Sequence, residues 1–211
     1  MPILSCAKRN AGKLDVICGS MFSGKTEELI RRLRRSTIAQ LKTQIFKHRL
    51  DDRVTTECLH SHGGNKLSAT AINNTQSLKE LLAHDTQVVG IDEVQFFSSD
   101  IVDTIQELVA LGKHVVVAGL DLDFRGMPFA CRPTLLALAD TVTKLKAICV
   151  ICGGDAHFSQ RIIDGRPAQA DDPIILVGAQ ESYQARCRSC YQDGLTTGAR
   201  PQAEKIYAAS I

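Results

Sequence analysis

The octet Gly19-Ser20-Met21-Phe22-Ser23-Gly24-Lys25-Thr26 has the form G-x-x-x-x-G-K-[ST], a spacing suited to holding the phosphates of a nucleotide. Gly19 and Gly24 let backbone N–H groups curl around an anion at the positive end of a following helix. Lys25 adds a point charge for the β- and γ-phosphates, and the Thr26 hydroxyl can ligate Mg²⁺. A pair of carboxylates decides what such a loop is for. Asp92 follows the apolar run Gln87-Val88-Val89-Gly90-Ile91 and suits an acid that holds Mg²⁺ directly or through water. Glu93, expected to face elsewhere because side chains alternate along a strand, suits a general base. With water as nucleophile the chemistry is ATP hydrolysis; with a bound hydroxyl it is phosphoryl transfer to a second substrate. Asp92-Glu93-Val94-Gln95 also has the DExx form of helicases and translocases, so a nucleic-acid-stimulated ATPase is the alternative reading. The chain length argues against it, because such motors need a second core of similar size.

Cys149-Val150-Ile151-Cys152 and Cys187-Arg188-Ser189-Cys190 form a third constellation. Two C-x-x-C pairs supply four soft thiolates for tetrahedral Zn²⁺ and leave no open position for catalysis, so the zinc they predict is structural. A redox pair or a disulfide competes, but one pair would serve redox work where two suggest a cage. The residues between the pairs exceed the usual zinc-ribbon spacing, so the metal would staple the ends of a long excursion that could serve as a substrate lid.

These groups need elements to carry them. Leu14-Asp15-Val16-Ile17-Cys18 is short and β-prone, and the helical pattern from Thr26 to Leu41 presents an outer face with Arg31, Arg32, Arg34 and Arg35, expected to be solvated. Thr43 to Lys47 reads as a strand running into the polar Asp51-Asp52-Arg53. Residues 54–77 read as a loop-rich connection with room for one short strand. A short helix over Ser77–Leu82, a strand to Ile91, a helix capped by Ser99 or Asp100 and stopped at Gly112, a strand over His114–Leu120, a helix over Pro133–Ala139 and a strand over Val142–Ile148 complete the alternation. That alternation predicts a mostly parallel sheet covered by helices. The expected division is an α/β core over residues 1–148, a zinc-binding module over 149–191 and a poorly ordered tail over 192–211.

The 211 residues suffice for one substantial core and a small module. A formal charge of +2 gives no global reason to bind nucleic acid or a membrane. The start of the chain lacks a secretory signal and no long apolar run occurs, which leads to the expectation of a cytoplasmic protein with free thiols at Cys6, Cys18, Cys58 and Cys131.

Taken together, Gly19 to Thr26, Ile91-Asp92-Glu93-Val94-Gln95-Phe96-Phe97, Leu120-Asp121-Leu122-Asp123-Phe124 through Pro128-Phe129, and the paired cysteines resemble thymidine kinases of the zinc-containing type, over residues 14 to 191 and in the family's order. The resemblance implies a P-loop core of the RecA-like kind, with a zinc module carrying a lasso-like lid. It implies transfer of the ATP γ-phosphoryl to the 5′-hydroxyl of thymidine or deoxyuridine, with Glu93 as base, in a homotetramer inhibited by dTTP. ATP is then expected on Gly19 through Thr26, on Asp51, Asp52 and Arg53, and on Asp92, Glu93, Val94 and Gln95. Phe124 matches an aromatic that packs on the thymine ring, and Met21, Leu120 and Phe129 would line the pocket near the base. Ile174, Ile175, Leu176, Val177 and Gly178 match the part of the lid that reads the base through backbone hydrogen bonds, and Tyr183 matches a substrate-contacting tyrosine. Thr26 stands where relatives commonly carry serine, which preserves the hydroxyl. Gly63 follows His62 where many relatives have an acid, so no role is assigned to His62.

Overall fold

In the computed structural model, residues 12–50, 58–60, 66–129, 131–163, 165–168 and 181–197 are described. The strands are β1 (Lys13–Gly19), β2 (Thr43–His48), β3 (Cys58–His60), β4 (Lys66–Ser68), β5 (Thr70–Ile72), β6 (Val88–Asp92), β7 (His114–Gly119), β8 (Thr141–Leu145), β9 (Ala147–Ile148), β10 (Asp155–Ala156), β11 (Phe158–Ile163), β12 (Arg166–Pro167) and β13 (Glu181–Arg186). The helices are α1 (Lys25–Ile38), α2 (Thr75–Leu81), α3 (Ile101–Ala110), α4 (Arg132–Leu138) and α5 (Arg188–Thr197).

Six strands form one sheet in the order β5-β2-β6-β7-β1-β8, and every neighbouring pair in it is parallel. The expectation of a mostly parallel sheet therefore holds, and the runs that predicted it are the buried ones. Val88 through Asp92 and Val115 through Gly119 are buried throughout, because helices lie on both faces. Alternate residues of β7 feed opposite cores: Val115 and Val117 join the cluster with α2, α3 and α4, whereas Val116 and Ala118 join the cluster with Leu29, Ile30 and Leu33 of α1. Gly90 lets α1 settle close on the sheet, since a Cβ there would lie 2.5 Å from Leu33 Cδ1.

Several boundaries differ from expectation. Residues 66–72 contain two short strands, and β5 is the sheet edge, paired in parallel with β2. α2 begins at Thr75 because Asn74 caps it, accepting from Ser77 N. Asp100 precedes α3 without a side-chain cap, its carboxylate being taken up instead by the hydroxyls of Ser98 and Thr75. The expected strand over Val142–Ile148 is two strands, because the chain leaves the large sheet after Leu145 and β9 pairs with β10. The chain after that break carries the four paired cysteines of the expected zinc module. The module contains β9 and β10, a three-stranded sheet in the order β12-β11-β13, and α5, which runs past Tyr191 to Thr197 where composition predicted no order. Of the arginines expected on a solvated face, Arg31, Arg34 and Arg35 are exposed. Arg32 is partly covered, donating to Glu28 Oε1 at 2.7 Å and across to Thr143 Oγ1 of β8 at 2.7 Å. Asp51, Asp52, Arg53, His62, Gly63 and the segment from Ile174 to Gly178 lie outside the described residues, as does the chain after Thr197.

Candidate active site

Three parallel strands end at the same edge of the sheet, and each delivers part of the site. β1 ends in Gly19 and opens the phosphate loop, β6 ends in Asp92, and β7, lying between them, ends in Gly119 and Leu120. A strand standing between the loop strand and the acid strand leaves room for a ligand at the edge where the chain crosses over.

The loop takes its shape from residues in unusual backbone conformations. Gly19 has φ 148°, Phe22 φ 64° and Gly24 φ 81°, and Gly24 leads directly into α1. Ser20 O accepts from Lys25 Nζ at 2.7 Å and from Ser23 Oγ at 2.8 Å, which ties the two ends of the loop together. Burial pulls the Lys25 ammonium's pKa down, against the opposing pull of the Glu93 and Asp92 carboxylates. Two contacts come from the cysteine-framed module: Ser159 Oγ accepts from Met21 N at 2.8 Å, and Ser20 Oγ donates to Ala156 O at 3.3 Å. The module is thus fastened to the phosphate loop itself.

Asp92 Oδ2 accepts from Thr26 Oγ1 at 3.1 Å, and Asp92 Oδ1 accepts from Glu93 N at 2.9 Å. Oxygens bound side by side on an octahedral Mg²⁺ are about 2.9 Å apart. The 3.1 Å between Thr26 Oγ1 and Asp92 Oδ2 is compatible with adjacent positions on such an ion.

Glu93 is not aimed by strand alternation. The strand stops at Asp92, and Glu93 adopts φ 49°, ψ 43°, a left-handed conformation that a glutamate takes at a cost, before a single 3₁₀ turn over Val94–Phe96. This corrects the expected reason for its direction. The Glu93 carboxylate is buried and accepts from Gln95 Nε2; Gln95 Oε1 in turn accepts from Leu120 N at 3.0 Å. A Cβ on Gly119 would lie 2.2 Å from Gln95 Oε1, so this amide fits only against a glycine.

On the module side, Phe124 is buried, with the Arg161 guanidinium 5.3 Å from its ring centroid, and its carbonyl accepts from Tyr191 OH at 2.8 Å. Arg161 and Tyr183 are register partners in the β11–β13 pair, which puts the expected substrate tyrosine on the strand beside that arginine. Met21, Leu120 and Phe129 are partly exposed around the same edge. Val94 is wholly buried in the core below the site, so it supports the turn rather than offering its side chain to a ligand. Sequence reasoning passed over Ser159 and Arg161. They sit on a strand of mixed polarity with no spacing signature, and only pairing with β13 and docking on the loop bring them to the site.

The sulfurs of Cys149, Cys152, Cys187 and Cys190 all lie within 4.8 Å of one another, and those of Cys152 and Cys187 are 3.6 Å apart. Zinc–sulfur bonds of about 2.3 Å in a tetrahedron place the sulfurs about 3.8 Å apart, so the set fits Zn²⁺. Burial opposes ionisation of the Cys149 thiol, but nearby backbone N–H groups outweigh it and bring the pKa to about 6. Cys190 is pushed up to about 12, chiefly by its contact with the Cys187 sulfur. A divalent cation would take the place of the protons these sulfurs share.

Known folds of low similarity include domain III of the Thermotoga maritima replication initiation protein DnaA (18% identity, TM-score 0.40, 65% of this chain and 56% of that one). They also include an ATPase (12%, 0.42, 84% and 80%) and the cytoplasmic domain of the Thermomonospora curvata type VII secretion ATPase EccC (11%, 0.39, 85% and 24%). Likenesses this distant carry nothing about function. The model of the thymidine kinase family, by contrast, matches residues 12–191, from the first strand of the sheet through the last zinc-type cysteine pair. The chain belongs to the thymidine kinase family.

Proposed function

We propose that the protein transfers the γ-phosphoryl group of ATP to the 5′-hydroxyl of thymidine, and of deoxyuridine, giving the nucleoside monophosphate and ADP. Glu93 accepts the hydroxyl proton, the loop N–H groups and Lys25 hold the phosphates, and Asp92 with Thr26 would hold Mg²⁺, which neutralises charge on the β- and γ-phosphates. Met21, Leu120, Phe124, Phe129 and Tyr183 surround the base in this reading, and the lid segment from Ile174 to Gly178 reads its edge. Asp51, Asp52 and Arg53 complete the ATP site. Water exclusion by the lid makes the sugar hydroxyl, not solvent, the acceptor. The same resemblance extends the reading to dTTP as feedback inhibitor, a homotetramer and a place in the cytoplasm. No described helix is long and apolar enough to cross a membrane.

The observation that carries this reading is the buried Glu93, turned out of the strand by a left-handed residue directly after an aspartate already bonded to Thr26. A carboxylate that merely closed a strand would not need that conformation. Glu93→Gln tests it. Turnover is expected to fall roughly 10²- to 10⁴-fold while ATP and thymidine still bind. Near-normal turnover would remove Glu93 from the chemistry.

A further inference from the structure

Arg132 opens α4 and is fully buried, an unusual place for a guanidinium. Its Nη2 donates to Ile17 O at 3.2 Å and to Gly119 O at 2.5 Å, while Nε and Nη1 make no hydrogen bond among the described residues. It therefore lies beneath the site, bridging the strand that feeds the phosphate loop and the strand that delivers Leu120. Removing a cation from water at such cost, with two nitrogens unsatisfied, is a poor way to stabilise a fold, and apolar replacements of buried charges often do better. Burial pushes its pKa down, opposed by Cys18, Cys131, Asp121 and Glu93, yet an arginine stays protonated.

The Gly119 carbonyl and the Leu120 N–H belong to one peptide group. Arg132 donates to the first, and the second donates to Gln95 Oε1. Because a backbone N–H can only donate, the Gln95 amide must present its oxygen there and its NH₂ to Glu93, where Nε2 meets Oε2. We propose that Arg132 is a positioning residue for Glu93, acting through this chain of guanidinium, peptide group, glutamine amide and carboxylate. Each hydrogen bond polarises the next, so a fixed cation at one end sharpens the donor at the other and holds the carboxylate in one orientation. Without it, the Gly119–Leu120 peptide loses the partner that sets its plane, and the amide loses its anchor.

This inference rests on Glu93 being the base, and a double-mutant cycle separates the two claims. Arg132→Met is expected to lower kcat roughly 10- to 100-fold, as for a reacting group displaced by a fraction of an ångström to an ångström, with the KM for thymidine changed by less than about twofold. In the Glu93→Gln background the same change should have no further effect on kcat. Arg132→Lys, which retains a charged donor and is the variant to use should the methionine protein not fold, should lose less than Arg132→Met and again only where Glu93 is present. An equal loss in both backgrounds, or a rise in KM with kcat unchanged, would overturn the relay. A Glu93→Gln protein with normal kcat would instead overturn the role of the base on which it rests.

Discussion

Glu93 and Gly119 show how much of the candidate site's geometry depends on single positions at strand ends. The loop octet, the Asp92-Glu93 pair and the four cysteines were legible in the sequence because each is a local pattern whose spacing meets a chemical requirement. The orientation of Glu93 was not, since it comes from a left-handed turn and from Gln95, itself seated against a glycine on a neighbouring strand. Arg132, Ser159 and Arg161 were also illegible, because long-range pairing creates their surroundings. Gly119→Ala should reveal this directly. The added methyl meets the far end of the flexible Gln95 side chain, which can move aside, and also lies 3.2 Å from Val94 N and 3.3 Å from Val94 Cγ1 in the core, so the stability loss should fall within the roughly 1–3 kcal/mol typical of overpacking. Turnover should fall nonetheless, because the amide then leaves Glu93. Unchanged turnover with lowered stability, measured by steady-state kinetics and thermal melting, would show that Gln95 has no hold on the base.

At the scale of elements, the buried parallel strands and the amphipathic helices α1 and α3 were readable from runs and periods, whereas the short strands β3 to β5 and the break between β8 and β9 were not. Two- and three-residue strands lack a period to read, and the break is set by the partner strand β10. α1 also carries an interaction the pattern did not suggest. Glu28 accepts from Arg31 and Arg32, and Arg32 continues to Thr143 on β8, joining the phosphate-loop helix to the sheet edge. The hydrogen bonds from Arg31, then that from Arg32, outweigh burial and hold the Glu28 carboxyl at about 2, below its ordinary 4.5. A carboxyl depressed on folding stabilises the folded state above its unfolded pKa and loses that contribution as pH falls through its folded value. The melting-temperature difference between the wild type and Glu28→Gln should therefore be constant above pH 4.5 and shrink between pH 4.5 and about 2. A difference independent of pH over that range would mean the ion pairs add nothing.

Over the whole molecule, the large sheet and the elements around the paired cysteines are held by different means. The large sheet has two extensive apolar clusters, one on each face, while the cluster at the zinc-type site consists of Ala147, Cys149, Ala156 and Ala185 with Cys187 and Cys190 beside it. Such small side chains bury little apolar surface, so a metal would supply much of the module's cohesion. The four-cysteine cluster was legible from the paired spacings; the contacts that fasten the module to the phosphate loop at Met21 and Ser20 were not. Chelation should release close to one zinc per chain and speed amide exchange in β11 and β13 before β1 and β7. Because Ser159 holds Met21, thymidine affinity should fall at the same time. Loss of metal with no change in β11, β13 or thymidine affinity would contradict the staple.

The destination of the γ-phosphoryl group distinguishes a nucleoside kinase from an ATPase. Incubating the protein with ATP labelled at that position, Mg²⁺ and a panel of nucleosides, with single-stranded DNA in a parallel reaction, measures it. The label should appear as the 5′-monophosphate of thymidine and of deoxyuridine, not of cytidine or purine nucleosides, with little free phosphate and no stimulation by DNA. Label released mainly as inorganic phosphate, faster with DNA and indifferent to thymidine, would show that water is the acceptor and that the site serves a motor.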